Sequence, residues 1–469
     1  MQLAIVADDL SGAAECAAHA RLRVSRSSVV LHGAPDLADA VVTIDTDTRG
    51  RSGDEASDRM RITAARVRSA AVVVKKVDSL LRGNLAREIG SLAAELGRVP
   101  VVAVANPALA RTVRGGVLHV GDTPLHATDL WRVEPTEPPL SVAHALTPLR
   151  TVVIPQSVVD EGIDAVAGAL GDAARAGAVA VCDSLTEDDL STVHAATLRL
   201  STEPLLVGSG GLVDVAVRAL APEPGLRKGS SSPRLASLLM LLGTRAPSVQ
   251  TQLARVGGRA DHVEVISPAD LLADPEAVAA HLADVVSRSA GARLVVMTMD
   301  QAALVDGGTS ARLVAALADA AAPLADRFAG VFLSGGETAR AVLDRLGTST
   351  LRVVCGLGPG TVVSRRDGGA VVVTRPGSFG GPDSLAEVAD LLLEARSTDV
   401  RAANPTGLPA GIAPDVPADV PAPLPSQRFA TDSPTTTAAP SAPSASTAAT
   451  GSPDSATVTP QHVTTKETP

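Results

Sequence analysis

A polar run, Lys75–Asn84, directly follows a short apolar stretch and contains most of the side chains that could hold a small ligand. Charged groups at the end of a buried strand are costly unless they are paired or bind a ligand. Their types suit a ligand with both anionic and hydroxyl groups, while a solvated loop is the alternative reading. The candidate residues are Lys76, Asp78, Ser79, Arg82 and Asn84.

Two aspartates, Asp8 and Asp9, stand where the predicted first strand gives way to a helix. Ligands of parallel α/β sheets bind at the carboxyl ends of strands. Carboxylates there could accept hydrogen bonds from sugar hydroxyls or hold Mg²⁺. They could instead only stabilise the helix N-terminus, where negative charge is favourable. Ser11 is the predicted cap of that helix, Gly12–Arg21.

Arg49 closes a second turn, Asp45–Gly50, that also follows a predicted strand. Its planar fork of donors suits a carboxylate. A local ion pair with Asp45 or Asp47 is the alternative. Farther along, Arg111 and Arg114 are expected to add positive charge to the same sheet edge.

Three glycine-rich turns lie in the second half of the chain, and together they suggest a nucleotide site. Glycines let backbone N–H groups approach phosphate oxygens at a helix N-terminus. Taken singly, each turn could be an ordinary tight turn, and neither a GxxxxGK[ST] loop nor an early GxGxxG motif is present. The turns are Gly335–Thr338, Gly356–Gly360 and Arg375–Gly381.

Short apolar strands alternate with helical segments along most of the chain, which indicates an α/β fold with mostly parallel sheets flanked by helices. A Gly-, Ser- and Pro-rich segment interrupts this rhythm and reads as a linker. The last segment is rich in Pro, Ala, Thr and Ser and is predicted to be a disordered tail. We therefore expect domains at 1–222 and 234–396, a linker at 223–233 and a tail at 397–469.

Composition limits the classes of partner. The net charge is −10 and aromatic residues make up 1% of the chain, so it lacks the positive surface and stacking platforms of nucleic-acid binders. The apolar stretch Leu3–Ala7 is too short for a signal peptide, and no apolar run approaches the roughly 20 residues that span a bilayer. Three isolated cysteines favour a reducing compartment. These features predict a cytoplasmic protein without membrane or nucleic-acid partners, and they leave homo-oligomerisation open.

Together these motifs resemble those of the four-carbon acid sugar kinase family, which includes D-threonate, D-erythronate and 3-oxo-tetronate kinases. The resemblance extends over residues 1–395. The family's motifs are matched here by Ala7–Ala13, Asp45–Arg49, Lys76–Asn84, Gly243–Pro247, Gly335–Thr338 and Arg375–Gly380.

The resemblance implies that a sugar acid binds in the N-terminal domain and ATP in the C-terminal domain, with Mg²⁺ as the metal. Asp9 and Asp78 are the candidate catalytic residues. The implied substrate set is Asp8, Asp9, Arg49, Lys76, Asp78, Ser79 and Arg82. The implied nucleotide set is Ser248, Gly335, Gly336, Glu337, Thr338, Gly358, Gly360, Gly377, Ser378 and Gly380.

This sequence departs from the family pattern mainly in the second half. Arg375 and Pro376 replace Lys and Ser, and Ser248 would stand in for a serine missing from Gly243–Pro247. We therefore predict transfer of the ATP γ-phosphate to a hydroxyl of a short sugar acid, completed by closure of the two domains. A non-catalytic sugar-acid-binding protein with an altered nucleotide site, and a kinase for a different acid, are the alternatives.

Overall fold

The computed structural model describes residues 1–36, 38–131, 134, 136–226, 232–244, 247–300, 309–377 and 379–394. Some of the predictions concern residues wholly or partly outside these ranges. They include the linker at 223–233, the nucleotide-binding role of Ser378 and the tail at 397–469.

Strands and helices alternate through both halves of the chain, as predicted. The strands of the first half are β1 (Leu3–Ala7), β2 (Ser27–Val30), β3 (Val41–Asp45), β4 (Val72–Lys76), β5 (Val99–Ala103), β6 (Arg111–Arg114), β7 (Val117–Val120), β8 (Thr123–Pro124), β9 (Thr151–Ile154), β10 (Val179–Cys182) and β11 (Pro204–Gly208). Those of the second half are β12 (Leu238–Leu242), β13 (His262–Ile266), β14 (Leu294–Met299), β15 (Gly330–Ser334), β16 (Thr350–Gly358), β17 (Thr361–Arg366) and β18 (Val371–Arg375).

The helices that connect these strands differ widely in length. In the first half they are α1 (Leu10–Ala20), α2 (Gly53–Val67), α3 (Leu85–Leu96), α4 (Val142–Ala145), α5 (Gln156–Asp160), α6 (Ile163–Arg175), α7 (Glu187–Thr197) and α8 (Gly210–Arg218). In the second half they are α9 (Pro247–Gly257), α10 (Pro268–Ala273), α11 (Pro275–Arg288), α12 (Ser310–Ala325), α13 (Gly336–Arg345) and α14 (Ser384–Leu392).

Both halves contribute to one 15-stranded sheet in the order β13-β14-β12-β15-β18-β17-β16-β2-β3-β1-β4-β11-β5-β10-β9. The α/β class with mostly parallel strands is confirmed. The expectation of one sheet in each domain is corrected. Strands β2 and β16 hydrogen-bond to each other in antiparallel register, and this pairing joins the two runs of strands into a single sheet. Such pairing satisfies backbone groups that two free sheet edges would leave open.

The core consists mainly of Val, Leu, Ile and Ala, as the scarcity of aromatic residues requires. All five residues of β1 are buried, and the same holds for β12 and β15. Successive side chains of a strand point to opposite faces, so a fully buried strand is covered on both sides. All three cysteines are free thiols, and Cys16 and Cys182 are buried while Cys355 is half-buried.

One local prediction needs correction, and some strands were missed. Helix α1 begins at Leu10, and its cap is Asp9 rather than Ser11. The Asp9 side chain accepts a hydrogen bond from the Gly12 backbone N–H. Strands β6–β8 form a small antiparallel sheet that periodicity did not reveal, because the strands are very short. Strand β17 was also missed. In the described part of the chain, no helix has the length and apolar character needed to cross a membrane.

Candidate functional site

The carboxyl ends of β1, β3 and β4 lie level at one edge of the sheet. Ala7 of β1 is in register with Asp45 of β3 on one side and with Lys76 of β4 on the other. Since the strands are parallel, the turns after them leave the sheet at the same edge, where α/β proteins bind ligands. The three predicted substrate motifs therefore converge, although they are far apart in the sequence.

Arg49 binds both aspartates that follow β1. Its Nε donates to Asp8 Oδ2 at 2.7 Å, and one terminal nitrogen donates to Asp9 Oδ1 at 2.8 Å. The same nitrogen lies 3.7 Å from Asp78 Oδ1. One guanidinium thus connects all three motifs, and it is the centre of a cluster that we call the substrate cluster: Asp8, Asp9, Arg49, Lys76, Asp78 and Arg82.

The turn that carries Arg49 is held by other residues, so the alternative of a local Arg49 pair is not what the structure contains. Asp47 pairs with Arg51, and Asp45 pairs with Arg340 of α13. Asn84 donates to the carbonyl oxygens of Thr48 and Arg51, both at 2.9 Å. Asn84 therefore connects the polar run after β4 to the turn after β3.

Asp78 holds Arg82 in a two-point ion pair. Arg82 Nε donates to Oδ2 at 2.8 Å and a terminal nitrogen donates to Oδ1 at 2.9 Å. The Leu80 backbone N–H also donates to Oδ2, at 3.0 Å. Because both carboxylate oxygens already accept from donors, Asp78 is suited to orienting arginines rather than to accepting a proton.

The two adjacent lysines have different environments. The Lys75 ammonium lies 2.7 Å from Glu88 Oε2, and both side chains are almost fully buried, so this pair is structural. Lys76 points to the other face of β4, over the first turn of α1. A Cβ atom placed on Gly12 would be 2.6 Å from the Lys76 nitrogen, so only glycine leaves room for the ammonium there.

Ser79 and Arg111 extend the cluster. Arg111 donates to the Ser79 hydroxyl, which places a further cation beside Asp78, as predicted for the strand edge. Arg114 instead is exposed and lies 3.8 Å from Asp122. The expectation for Arg114 is therefore wrong. Side chains alternate between the two faces of a strand, and Arg111 and Arg114 are three positions apart on β6, so they point to opposite faces.

The charges of the substrate cluster stabilise one another. Burial alone would raise the pKa of Asp8, but Arg49, Lys75 and Lys76 outweigh it and hold that pKa below its ordinary value. Burial is likewise outweighed at Asp78, whose pKa is held far below its usual range by Arg82 and Arg49. Burial would lower the pKa of Lys76, yet Asp8 and Asp9 raise it. Asp8, Asp78 and Lys76 therefore remain ionised at neutral pH.

We expect the free energy of unfolding to fall as the pH is lowered from about 5 to about 3, and to fall less in Asp78→Asn. The Asp78 pKa is lower in the folded protein than its ordinary value of 3.8, so the unfolded chain binds more protons in acid. Its stabilising effect is complete above the ordinary pKa and is lost as the pH falls toward the folded-state pKa. Urea denaturation followed by circular dichroism at each pH measures this. Asp54→Asn is the control because the Asp54 side chain is 91% exposed. Parallel pH curves for wild type and Asp78→Asn would contradict the prediction.

In the second half, strands β12, β15 and β18 are neighbours, and their carboxyl ends are also level. Leu242 is in register with Ser334, and Ser334 with Arg375. The turns that follow pack closely. A Cβ atom on Gly377 would lie 2.5 Å from Thr244 Oγ1, and one on Gly243 would overlap Thr338. We call these three turns, at 243–244, 335–338 and 376–380 without residue 378, the glycine turns.

Helix α13 begins in the middle glycine turn. Its first flanking residue, Gly335, has a φ of +101°, which favours glycine, and it provides no side-chain cap for the helix. The first N–H groups of α13 are therefore free of a capping side chain, and such groups bind phosphate. Glu337 is exposed at this turn and Thr338 is buried.

The substrate cluster and the glycine turns meet at Gly336. A Cβ atom there would lie 2.9 Å from Ser11 Oγ and 3.5 Å from Asp9 Oδ2. The uncapped N-terminus of α13 is thus in contact with the start of α1. The two predicted ligand sites therefore form one continuous region within the described residues, and the contact between α1 and α13 joins them.

The remaining predicted nucleotide residues are less uniform. Gly358 belongs to β16, and Gly360 belongs to the tight connection to β17. The glycine-rich run Gly356–Gly360 is therefore part of a β-hairpin rather than a strand-to-helix turn. Gly360 nevertheless contacts the 376–380 turn, since a Cβ atom there would lie 2.8 Å from Pro376 Cδ. Ser248 is exposed near the start of α9. Gly380 lies beside Ser384 of α14.

Arg375 is buried and supports the last glycine turn from beneath. It donates to Ser384 Oγ at 2.9 Å and to Gln252 Oε1 at 2.7 Å. Gln252 in turn donates to the backbone carbonyls of Phe379 and Gly380. Burial without a carboxylate partner lowers the pKa of Arg375 to about 10. Arg375 therefore shapes the turn from within the protein.

Sequence reasoning missed several residues that shape this region. Ser11 was read as a helix cap, but its hydroxyl faces Gly336. Gln252 and Arg340 lie inside helices, where nothing in the sequence marks them. Thr244 was noticed only as part of the motif Gly243–Pro247. Its neighbours Arg245 and Ala246 lie outside the described ranges. A polar residue at the first position after a buried strand is the signal that would have singled out Thr244.

Comparisons with known proteins agree with this architecture. A family model described as a sugar-binding N-terminal domain matches residues 3–216, and one described as a nucleotide-binding C-terminal domain matches residues 239–385. Crystal structures of proteins from Salmonella typhimurium LT2 and Haemophilus influenzae share the fold, with TM-scores of 0.68 and 0.64 at 22% and 19% identity. Each covers 82% of this chain, and the matches cover 98% and 99% of those chains.

Curated relatives extend over nearly all of the described chain. The D-threonate kinase of Cupriavidus necator is 33% identical over 418 residues, which is 85% of this chain and 99% of the relative. The D-erythronate kinase of Heliobacterium modesticaldum is 26% identical, and the match covers 85% of this chain and 99% of the relative. The 3-oxo-tetronate kinase of Methylobacterium radiotolerans is 28% identical, and the match covers 84% of this chain and 99% of the relative.

The fold defines an α/β protein whose two halves match family models of a sugar-binding N-terminal and a nucleotide-binding C-terminal domain. The chain belongs to the four-carbon acid sugar kinase family, as its motifs indicated. The domain limits 1–222 and 234–396 stay a prediction.

Proposed function

We propose that this protein is an ATP-dependent kinase that phosphorylates a hydroxyl group of a four-carbon sugar acid. The observation that carries the proposal is the contact at Gly336, where an uncapped helix N-terminus lies against the substrate cluster. A phosphate group bound at that helix terminus would be beside the carboxylate of Asp9. The names of the curated relatives support the same activity.

The substrate cluster suits a hydroxylated acid. Arg49, Lys76 and Arg82 are cations that would bind a carboxylate, and Arg fits a carboxylate through two parallel hydrogen bonds. Asp8 and Asp9 would accept hydrogen bonds from hydroxyl groups. Asp8 Oδ1 is buried and has no hydrogen-bond partner in the described part of the chain, so a donor or a cation from a ligand would satisfy it.

The roles of the two candidate catalytic aspartates differ. Asp9 Oδ1 accepts from Gly12 and Arg49, while Oδ2 lies toward Gly336. Asp9 would therefore orient the attacking hydroxyl and accept its proton. Asp78, with both oxygens bound to donors and a strongly lowered pKa, would act by fixing Arg82 and Arg49.

The nucleotide side of the proposal depends on backbone donors. The glycine turns would bind the ATP phosphates through their N–H groups and the α13 N-terminus. Mg²⁺ commonly binds to one or two carboxylates together with substrate phosphates. The described residues contain no group of three or more His, Cys, Asp or Glu side chains that could hold a metal alone. Asp9 and Glu337 fit the smaller requirement, and Mg²⁺ bound there would neutralise phosphate charge.

The direct test measures ADP release with Mg²⁺–ATP and each of four acids: threonate, erythronate and their 3-oxo forms. We expect turnover with at least one acid. Omitting the acid measures background ATP hydrolysis and is the control. Absence of acid-dependent ADP release with the whole panel and with longer aldonic acids would refute the proposal. Release only with longer acids would correct the chain length.

Asp78→Asn is expected to reduce kcat/KM by about 10²-fold or more, with retention of the fold, because Arg82 and Arg49 lose the carboxylate that orients them. Steady-state ADP release with the best acid of the panel measures this. Asp54→Asn again serves as the control. Near-normal turnover in Asp78→Asn would remove Asp78 from the mechanism.

One observation favours a second candidate, a non-catalytic sugar-acid-binding protein. Arg375 stands where the family has lysine, and its guanidinium is buried and hydrogen-bonded to Gln252 and Ser384. Titration calorimetry with Mg²⁺–ATP distinguishes the candidates. Measurable ATP binding supports the kinase, and sugar-acid binding without ATP binding at millimolar ATP supports the binding protein. The cytoplasmic location and the oligomeric state stay predictions.

A further inference from the structure

Helix α13 contacts the first half of the chain along one face, and two of these contacts bear on the ligand regions. Gly336 lies against Ser11 and Asp9 at the helix start. Arg340, one helical turn later, donates to Asp45 Oδ2 at 2.9 Å. Positions four residues apart lie on the same side of a helix, so both contacts act on the same surface of α13.

The pair between Arg340 and Asp45 is buried where the two halves meet. The side chains are 7% and 0% exposed, so neither charge is compensated by water. Asp45 raises the pKa of Arg340, although burial acts in the opposite direction. Separating the two partners of a buried ion pair would leave each charge uncompensated. The Arg340 and Asp45 side chains are therefore held firmly in contact with each other.

Asp45 is connected through the backbone to the substrate cluster. It is the last residue of β3, and its Oδ1 accepts from the Asp47 backbone N–H at 3.0 Å. The same turn continues to Arg49, whose backbone N–H donates to the Asp8 carbonyl at 3.2 Å. The Asp45 carboxylate therefore binds both the turn that carries Arg49 and the helix that begins at Gly336.

Arg340 is held by a further residue of its own helix and by one of the first half. Its Nε donates to Asp344 Oδ1 at 2.9 Å, and a terminal nitrogen lies 3.3 Å from His32 Nε2. The planar guanidinium can make these contacts and the Asp45 contact together, which a lysine ammonium cannot reproduce with the same geometry. Arg340 thus has a fixed orientation on α13.

From these contacts we infer that Arg340 is a positioning residue: its ion pair with Asp45 sets the distance between the α13 N-terminus and the substrate cluster. This inference rests on the proposed kinase function. Phosphoryl transfer depends on in-line placement of the acceptor hydroxyl and the phosphate, so a small shift of α13 would slow the reaction. Neither Arg340 nor Asp45 needs to contact a ligand for this effect.

The test compares Asp45→Asn, Arg340→Gln and the double variant. Misplacement of about 1 Å can cost about 10²-fold in rate, so we expect kcat to fall about 10- to 100-fold in each single variant. Affinities for the acid alone and for Mg²⁺–ATP alone, measured by calorimetry, should stay near wild type. The double variant should be no slower than the slower single variant, because both remove the same interaction. Arg340→Lys should recover only part of the rate.

Arg345→Gln is the matched control on the same helix. Arg345 pairs with Asp319 of α12 at 2.8 Å, so its loss removes an ion pair of α13 without affecting the first half. We expect wild-type kcat for this variant. Assays at about pH 8 keep Asp45 ionised, since burial raises its pKa to about 6. Circular dichroism melting curves confirm that each variant is folded at the assay temperature.

The outcomes separate this inference from the proposed function. A wild-type protein without acid-dependent ADP release refutes the function itself. With an active wild type, unchanged kcat in both single variants overturns the role of Arg340. Additive losses in the double variant, or a loss of affinity for either ligand alone that accounts for the rate change, overturn it as well.

Discussion

Asp9→Asn is expected to lower kcat by about 10²- to 10⁴-fold, the range typical for loss of a group that accepts a proton in the transition state. The substitution keeps the size of the side chain and the acceptor for the Gly12 N–H, and Asn caps helices as well as Asp does. The fold should therefore survive while the charge beside Gly336 is lost. Steady-state ADP release with the best four-carbon acid measures the effect, and thermal unfolding checks the fold.

Asp274→Asn is the matched control for this variant. Asp274 caps α11 by accepting from the Ala277 N–H at 3.0 Å, and it belongs to neither the substrate cluster nor the glycine turns. We expect wild-type kcat and at most a small change in stability. If Asp9→Asn and Asp274→Asn have the same kcat, Asp9 acts only as a helix cap and the catalytic assignment is wrong.

Lys76→Met is expected to lower kcat/KM by about 10²- to 10³-fold, as removal of one preorganised charge at a reacting centre commonly does. The ammonium over the first turn of α1 is near Asp8 and Asp9, where it would bind the acid or neutralise the transferring phosphate. The two roles differ in kinetics. A rise in KM for the acid indicates ground-state binding, whereas a fall in kcat indicates stabilisation of the transition state.

Lys75→Met provides the control, because it removes the neighbouring lysine from the opposite face of β4. It leaves Glu88 buried without its partner, so the free energy of unfolding should fall by about 3–5 kcal/mol. Lys75→Met combined with Glu88→Leu should regain much of that loss, since an apolar pair can replace a buried ion pair. The folded double variant should keep wild-type kcat/KM. A loss of kcat/KM there equal to that of Lys76→Met would contradict the separation of roles.

Local chemistry in the sequence was enough to find the α/β class and the substrate cluster. Buried strands such as β1 consist of consecutive apolar residues, and the polar residues immediately after them mark the strand ends. Since parallel strands end at one edge, Asp9, Arg49 and Asp78 could be expected to meet. The glycines before α13 likewise predicted a helix N-terminus with free N–H groups.

The partners of those residues depended on contacts that no local pattern encodes. Arg49 could have paired within its own turn, but the folded chain brings Asp8 and Asp9 to it. Side-chain direction separated Lys75 from Lys76, since neighbours on a strand face opposite ways. The antiparallel pairing of β2 with β16 joined the halves, and it brought Arg340 to Asp45 across a sequence separation of 295 residues. Residue types thus specified which chemistry is present, while long-range strand pairing and burial selected the groups that act together.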